Sequence, residues 1–199
     1  MTKIYGYLTA LILLAASLQG CAGLFVAGAA TGATVAAERR DTDTLIKDQA
    51  IEIEASNKLF DNARVKDGTH INVTCINGNV LLTGEARTEE LHQTALDLVK
   101  DVDGVRHIAD EIAIMEPTSL GSRSQDTWIT TKVKAELLNH YGFSGLRVKV
   151  ITERATVYLM GLVTREEAQR ATDVAKQVDG VQAVVKVFEY QTPQKTPQT

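Results

Sequence analysis

The chain has 199 residues, with 21 basic and 25 acidic side chains and a formal net charge of −4. That length holds one medium domain or two small ones, and a mildly acidic balance excludes the basic footprint of a nucleic-acid binder. Two cysteines, Cys21 and Cys75, exclude a disulfide-stapled scaffold.

The chain opens with Lys3, an apolar run from Ile4 to Ser17, and then Leu18-Gln19-Gly20-Cys21. A short apolar run behind a lysine, ending in small residues, reads as a secretory signal. It falls short of the roughly 20 apolar residues of a membrane span. The Leu-x-Gly-Cys ending resembles the lipobox of bacterial lipoproteins. That resemblance implies a signal peptide at 1–20, cleavage before Cys21, a diacylglycerol on its thiol and an N-acyl lipid such as palmitate on the new amino terminus. No other cofactor is expected. Losing Lys3 and no acid takes the charge from −4 to −5. Residues 21–43 are expected to form the lipidated end and a flexible tether; residues 22–37 are small, apolar and too glycine-rich to span a bilayer. Ala22, where an aspartate would imply retention at the inner membrane, implies by the same resemblance an outer-membrane anchor facing the periplasm.

The rest of the chain repeats itself. Asp48-x-x-Ile51-x3-Ala55-x3-Leu59 recurs as Asp126-x-x-Ile129-x3-Val133-x3-Leu137 at an offset of 78. This amphipathic spacing predicts a helix opening each copy. Alternation at Ile71/Val73/Cys75 and at Val148/Val150 predicts a strand. Asn77-Gly78-Asn79 predicts a hairpin turn, with Thr152-Glu153-Arg154 in its place in the second copy. A second strand is expected to end at Gly84 or Gly161, where the glycine turns the chain. Thr88 and Thr164 open a second helix, and Thr164-x-x-Glu167 is a capping box. Asp103-Gly104 and Asp179-Gly180 stop that helix. A third strand runs over 105–115 or 181–190. The order is α-β-β-α-β twice, an α+β class with a helix pair on one face of a small three-stranded mixed sheet. The expected domains are 44–115 and 124–190, joined by a linker at 116–123 and followed by a disordered polar tail at 191–199.

These units resemble the BON domain of bacterial envelope proteins. Asp-x-x-Ile in the first helix, the strand ending in glycine, and Val102-Asp103-Gly104-Val105 repeated as Val178-Asp179-Gly180-Val181 carry the resemblance. Two copies behind a lipobox are similar to the dual-BON outer-membrane lipoproteins. The resemblance implies a second domain that binds anionic phospholipid, a role in envelope integrity and recruitment to division sites. The alternative is an adaptor for outer-membrane assembly or peptidoglycan-remodelling proteins.

No enzyme signature occurs: there is no Gly-x-Ser-x-Gly, Walker loop, His-Glu-x-x-His or Cys-x-x-Cys. No catalysis, metal or small-molecule substrate is expected. Glu89-Glu90 and Glu166-Glu167 sit where acids complement a helix dipole. Cys75 lies on the apolar side of its strand and reads as a buried thiol. Charge separates the copies: residues 40–117 hold 8 basic and 16 acidic side chains, a net of −8, whereas residues 120–191 hold 10 and 8, a net of +2. In the first helix of the second copy, Trp128 lies roughly 140° from the centre of the Ile129/Val133/Leu137 stripe. It points outward to a membrane surface, or packs on the sheet, the other domain or the linker. The family resemblance favours the membrane and implies Trp128, Lys132, Val133 and Leu138 as lipid-contacting residues, although the spacing of Val133 places it in the core.

Overall fold

The computed structural model describes residues 39–191. The signal segment, Cys21, the tether up to residue 38 and residues 192–199 lie outside the described residues. In the first copy Asp41 caps α1 (Thr42–Asp61), its carboxylate accepting the Thr44 N–H at 2.7 Å. The chain is therefore already helical at 42–43, where tether was expected. Asn62 caps a short α2 (Ala63–Gly68) in the same way. β1 (Thr69–Ile76) and β2 (Asn79–Ala86) form an antiparallel hairpin; α3 (Glu89–Lys100), capped by Thr88, leads to β3 (His107–Ile114), which pairs parallel to β2. The second copy comprises α4 (Leu120–Tyr141), a 3-10 segment (Gly142–Arg147), β4 (Lys149–Glu153), β5 (Thr156–Val163), α5 (Arg165–Lys176) and β6 (Ala183–Tyr190). β5 is its central strand, antiparallel to β4 and parallel to β6. Both copies are the α-β-β-α-β units expected, each with a mixed three-stranded sheet. The capping box forms in full, with Thr164 N–H on Glu167 at 2.8 Å and Glu167 N–H on Thr164 at 3.2 Å.

Side chains alternate across each strand, and both faces are buried. One face meets the helices: Ile51, Ala55, Leu59, Val80, Leu82, Ala95 and Val99 form the first core, and Ile129, Val133, Leu137, Val157, Leu159, Ala171 and Ala175 the second. The opposite faces meet each other. Ile76 and Leu81 of the first sheet pack with Tyr158 and Met160 of the second. The two units thus stack back to back, sheet on sheet, with the helix pairs on opposite outer sides.

Three local expectations are corrected. α4 starts at Leu120, inside the expected linker, because Ser119 caps it, its hydroxyl accepting the Ser122 N–H at 3.3 Å, and the helix gains more than a turn. The second hairpin turns at Arg154 and Ala155, while Thr152 and Glu153 stay in β4. Gly84 and Gly161 lie inside their strands rather than ending them. A Cβ on Gly84 would sit 1.9 Å from the His70 carbonyl oxygen and one on Gly161 2.5 Å from that of Arg147, and both glycines have positive φ.

The two turns share one clamp. Asp48, buried on α1, accepts the backbone N–H of Gly78 at 2.9 Å and of Asn77 at 2.7 Å, with the Cys75 thiol at 3.2 Å and the Arg40 guanidinium alongside. Burial opposes its ionisation, but these donors together hold its pKa below the ordinary carboxylate range. Asp126 on α4 accepts Ala155 N–H at 2.8 Å and Arg154 N–H at 3.0 Å. Each aspartate therefore ties the first helix of its unit to the tip of the hairpin. In the second unit the turn residues have φ of +49° and +57° without being glycine, which costs about 1 kcal/mol or more each. Ala155→Gly is therefore expected to raise stability by up to about 1 kcal/mol. Asp126→Ala, which strands two turn N–H groups, is expected to lower it by about 3 kcal/mol. Urea denaturation reads both.

Polar contacts join the two units, two of them on buried carboxylates. Glu85 is fully buried and takes Arg154 at 3.0 Å, while Asn72 donates to Glu153 at 3.2 Å. Asn77 and Asn79 donate to Glu189, and Lys149 pairs with Glu52 at 2.9 Å. Arg39, just before α1, crosses to the second unit with two donors on Glu167, at 2.7 and 2.9 Å; Arg147 joins at 3.0 Å. Burial resists ionisation of Glu167, but the hydrogen bonds from Arg39 and from Thr164 bring its pKa down to about 2. Glu153 goes the other way: burial, then the charges of Glu85 and Asp126, raise its pKa. A carboxyl whose folded pKa exceeds its unfolded one costs stability once it ionises, so this cost disappears as pH falls from neutral through the folded value. Glu153→Gln is expected to raise the urea midpoint at pH 7. The difference from wild type should shrink on mild acidification, and a pH-independent difference would refute this account.

Candidate functional site

The helix α4 builds the site. Ile129, Val133 and Leu137 are 1, 0 and 1% exposed and fix its inner side in the core. Val133 is thereby corrected: it faces the sheet and touches no external surface. Trp128 is 63% exposed and Leu138 43% exposed, so the only tryptophan stands on the outer side, as its spacing predicts. Leu120, 79% exposed, joins them. Eighteen residues separate it from Leu138, a whole number of turns at about 3.6 residues each, so the two share one edge of the face. Leu120 went unread in the sequence because it fell in the expected linker; a helix continued backward from Trp128 would have found it. By the same geometry Lys134 and Lys132 flank this face on its two sides. Lys134 has a pKa lowered by partial desolvation and by the Lys149 charge. Lys132 donates to the Asp179 carbonyl, which tethers its ammonium at one edge of the face. A groove of about 380 Å³ runs beside it, lined by Lys132, Ala135, His140, Val178 and Asp179.

This arrangement suits contact with a surface rather than chemistry on a small molecule. Exposed apolar side chains, the Trp128 indole beside Lys132 and the two leucines toward Lys134, with Ser124 and Thr131 between them, match the mixed polarity of a membrane–water interface. Among the described residues no group of His, Cys, Asp and Glu could hold a metal ion, and no helix is long and apolar enough to cross a membrane. Cys75 is buried, and burial together with the neighbouring Asp48 carboxylate pushes its thiol up to about 12, which leaves it un-ionised and unreactive at neutral pH.

The BON domain model matches residues 47–116 and again residues 125–192. The chain belongs to the BON-domain family. It is 36% identical over 173 residues to "Outer membrane lipoprotein DolP" of Haemophilus influenzae, covering 87% of this chain and 90% of that one. It is 37% identical over 151 residues to "21 kDa hemolysin" of Actinobacillus pleuropneumoniae, covering 76% and 78%. It is 29% identical to "Osmotically-inducible protein Y" of Escherichia coli over 77% of each chain. None of these names describes an enzyme.

Two spectroscopic outcomes follow from the geometry. Trp128 emission should resemble that of a solvated indole and be quenched by acrylamide to within about twofold of free tryptophan, since the ring is open to collision. Cys75 in residues 22–199 should resist a thiol reagent in the native protein and react fully only in denaturant.

Proposed function

We propose that this chain is a lipid-anchored, non-catalytic protein of the outer membrane that docks on anionic phospholipid through the outer face of α4. The observation that carries this reading is the exposed Leu120/Trp128/Leu138 strip between Lys134 and Lys132, on a unit whose net charge is +2 against −8 for the other (10 basic and 8 acidic in 120–191, 8 and 16 in 40–117). The relative named as an outer-membrane lipoprotein supports the compartment, and Leu18-Gln19-Gly20-Cys21 supports the anchor. Multiple acyl chains on Cys21, at about 0.8 kcal/mol per buried methylene, hold the chain on the periplasmic leaflet. Docking by α4 is then an intramolecular event and needs little affinity of its own. Each lysine adds about 1 kcal/mol against an anionic leaflet, so the contact favours membrane enriched in anionic lipid, including division sites. The role is upkeep of envelope integrity.

The test is sedimentation of residues 22–199, which lack the acylated cysteine, with phosphatidylglycerol or phosphatidylcholine vesicles. Binding is expected to the anionic vesicles alone. Trp128→Glu and Leu120→Glu should each weaken it about tenfold or more, the scale of one lost apolar side chain, without loss of the circular dichroism of the fold. Failure of the wild type to bind either vesicle would overturn the reading.

A further inference from the structure

We propose that the outer face of α1 is a docking surface for a basic amphipathic helix of another protein. Opposite its core stripe, α1 exposes Ile46, Ile53 and Phe60, which are 63, 53 and 61% exposed. These residues stand seven apart, and Ala50 and Asn57, both exposed, lie between them. At about 100° per residue they drift only about 20° per step and so form one straight seam. A seam of this period is what a second helix fills, each apolar knob seating between side chains of its partner. A lipid-facing helix instead sets its exposed apolar residues between basic edges, as α4 does with Leu120, Trp128 and Leu138 between Lys134 and Lys132.

The charge around the seam selects the partner. Asp43, Glu54 and Asp61 line one edge, and the unit carries a net of −8 (8 basic and 16 acidic in 40–117). The two lysines on that edge are already engaged: Lys47 pairs with Asp43 at 2.6 Å and Lys58 with Glu54 at 3.7 Å. The Phe60 ring already holds a cation over its face, Lys66 Nζ at 3.9 Å. An anionic leaflet would be repelled here, and a helix with lysine or arginine beside its apolar residues would be attracted. Back-to-back packing of the sheets turns α1 and α4 outward in opposite directions. On the reading proposed above, α4 lies on the membrane and the α1 seam is displayed away from it, open to a periplasmic partner. Duplication makes the divergence visible: at the offset of 78, Ile46, Ala50 and Ile53 correspond to Ser124, Trp128 and Thr131. Phe60 corresponds to Leu138, so the two helices share that apolar position, but α1 carries isoleucines where α4 has Ser124 and Thr131, and α4 carries the indole where α1 has Ala50.

The probe is a synthetic three-heptad peptide with leucine at its seam and lysine at the flanking positions, set against the same peptide with glutamate flanks. Residues 22–199 contain the whole folded body described above and serve as the receptor, at physiological salt. The lysine peptide is expected to bind, with amide shifts centred on α1, and the glutamate peptide at least about tenfold more weakly. Ile53→Glu, and independently Phe60→Glu, should reduce lysine-peptide binding about tenfold or more while leaving anionic-vesicle binding unchanged. Equal binding of the two peptides, shifts centred elsewhere, or indifference to both variants would overturn the proposal. Loss of vesicle binding in Ile53→Glu would overturn it in favour of a lipid surface. Concentration-dependent self-association abolished by Ile53→Glu would overturn it in favour of a second copy. Peptide binding without vesicle binding would leave this proposal standing and remove the lipid-docking reading alone.

Discussion

The carboxylate that joins each opening helix to its hairpin holds the architecture together. Asp48 and Asp126 each accept two backbone N–H groups from a turn in the left-handed region. A turn of that kind exposes adjacent donors that no strand partner satisfies, and in a buried setting an unsatisfied donor is expensive. The aspartate answers both donors at once and sets where the helix crosses the sheet. Ile51 and Ile129, three residues on and therefore nearly one turn further along the helix, then enter the core beside it. The Asp-x-x-Ile signature is thus a single mechanical unit: an acid that grips the turn and an apolar residue that seats the helix.

With the helices fixed on one face, the other face of each sheet must be covered, and the duplicate covers it. Thr83, Glu85 and Glu153 would be solvated side chains in an isolated unit. Stacking buries them, and Arg154 then serves two ends at once: its backbone N–H completes the Asp126 clamp, and its guanidinium reaches Glu85 and the Gly84 carbonyl in the other sheet. A single residue therefore links a local turn to the union of the two units. Removing the guanidinium would leave the buried Glu85 charge with only the long Thr118 N–H and hydroxyl contacts, at 3.3 and 3.4 Å, a costly arrangement.

Much of this was legible in the sequence, for physical reasons. The repeat, the threonine caps and the 3.6-residue stripe are local patterns, and each copy confirmed the other. The outward position of Trp128 followed from that stripe alone. What escaped depended on distant partners. Arg154-Ala155 carries no glycine or asparagine to announce a turn, because Asp126, 28 residues earlier, supplies what the turn lacks. The α4 start at Leu120 is capped by Ser119 within a Pro-Thr-Ser stretch whose composition reads as linker, so the cap is not distinguishable there from an ordinary loop serine. The seam at Ile46, Ile53 and Phe60 was readable by its spacing. It is masked by Ile51, Ala55 and Leu59, which already give the helix a complete buried stripe. Glu85 alternates with apolar neighbours as a solvent-facing residue would, and only the second sheet makes it internal.

The crossing made by Arg39 has a consequence under load. A chain held by its amino-terminal end transmits tension through the residues that first enter the folded body, and here these are Arg39, bound to Glu167 of the second unit, and Arg40, bound to Asp48 of the first. Tension is divided between the two units at the point of entry and meets two ion pairs side by side before it reaches the first turn of α1. For a chain held by the proposed lipid anchor, tension would therefore load both units together rather than unwinding α1 alone.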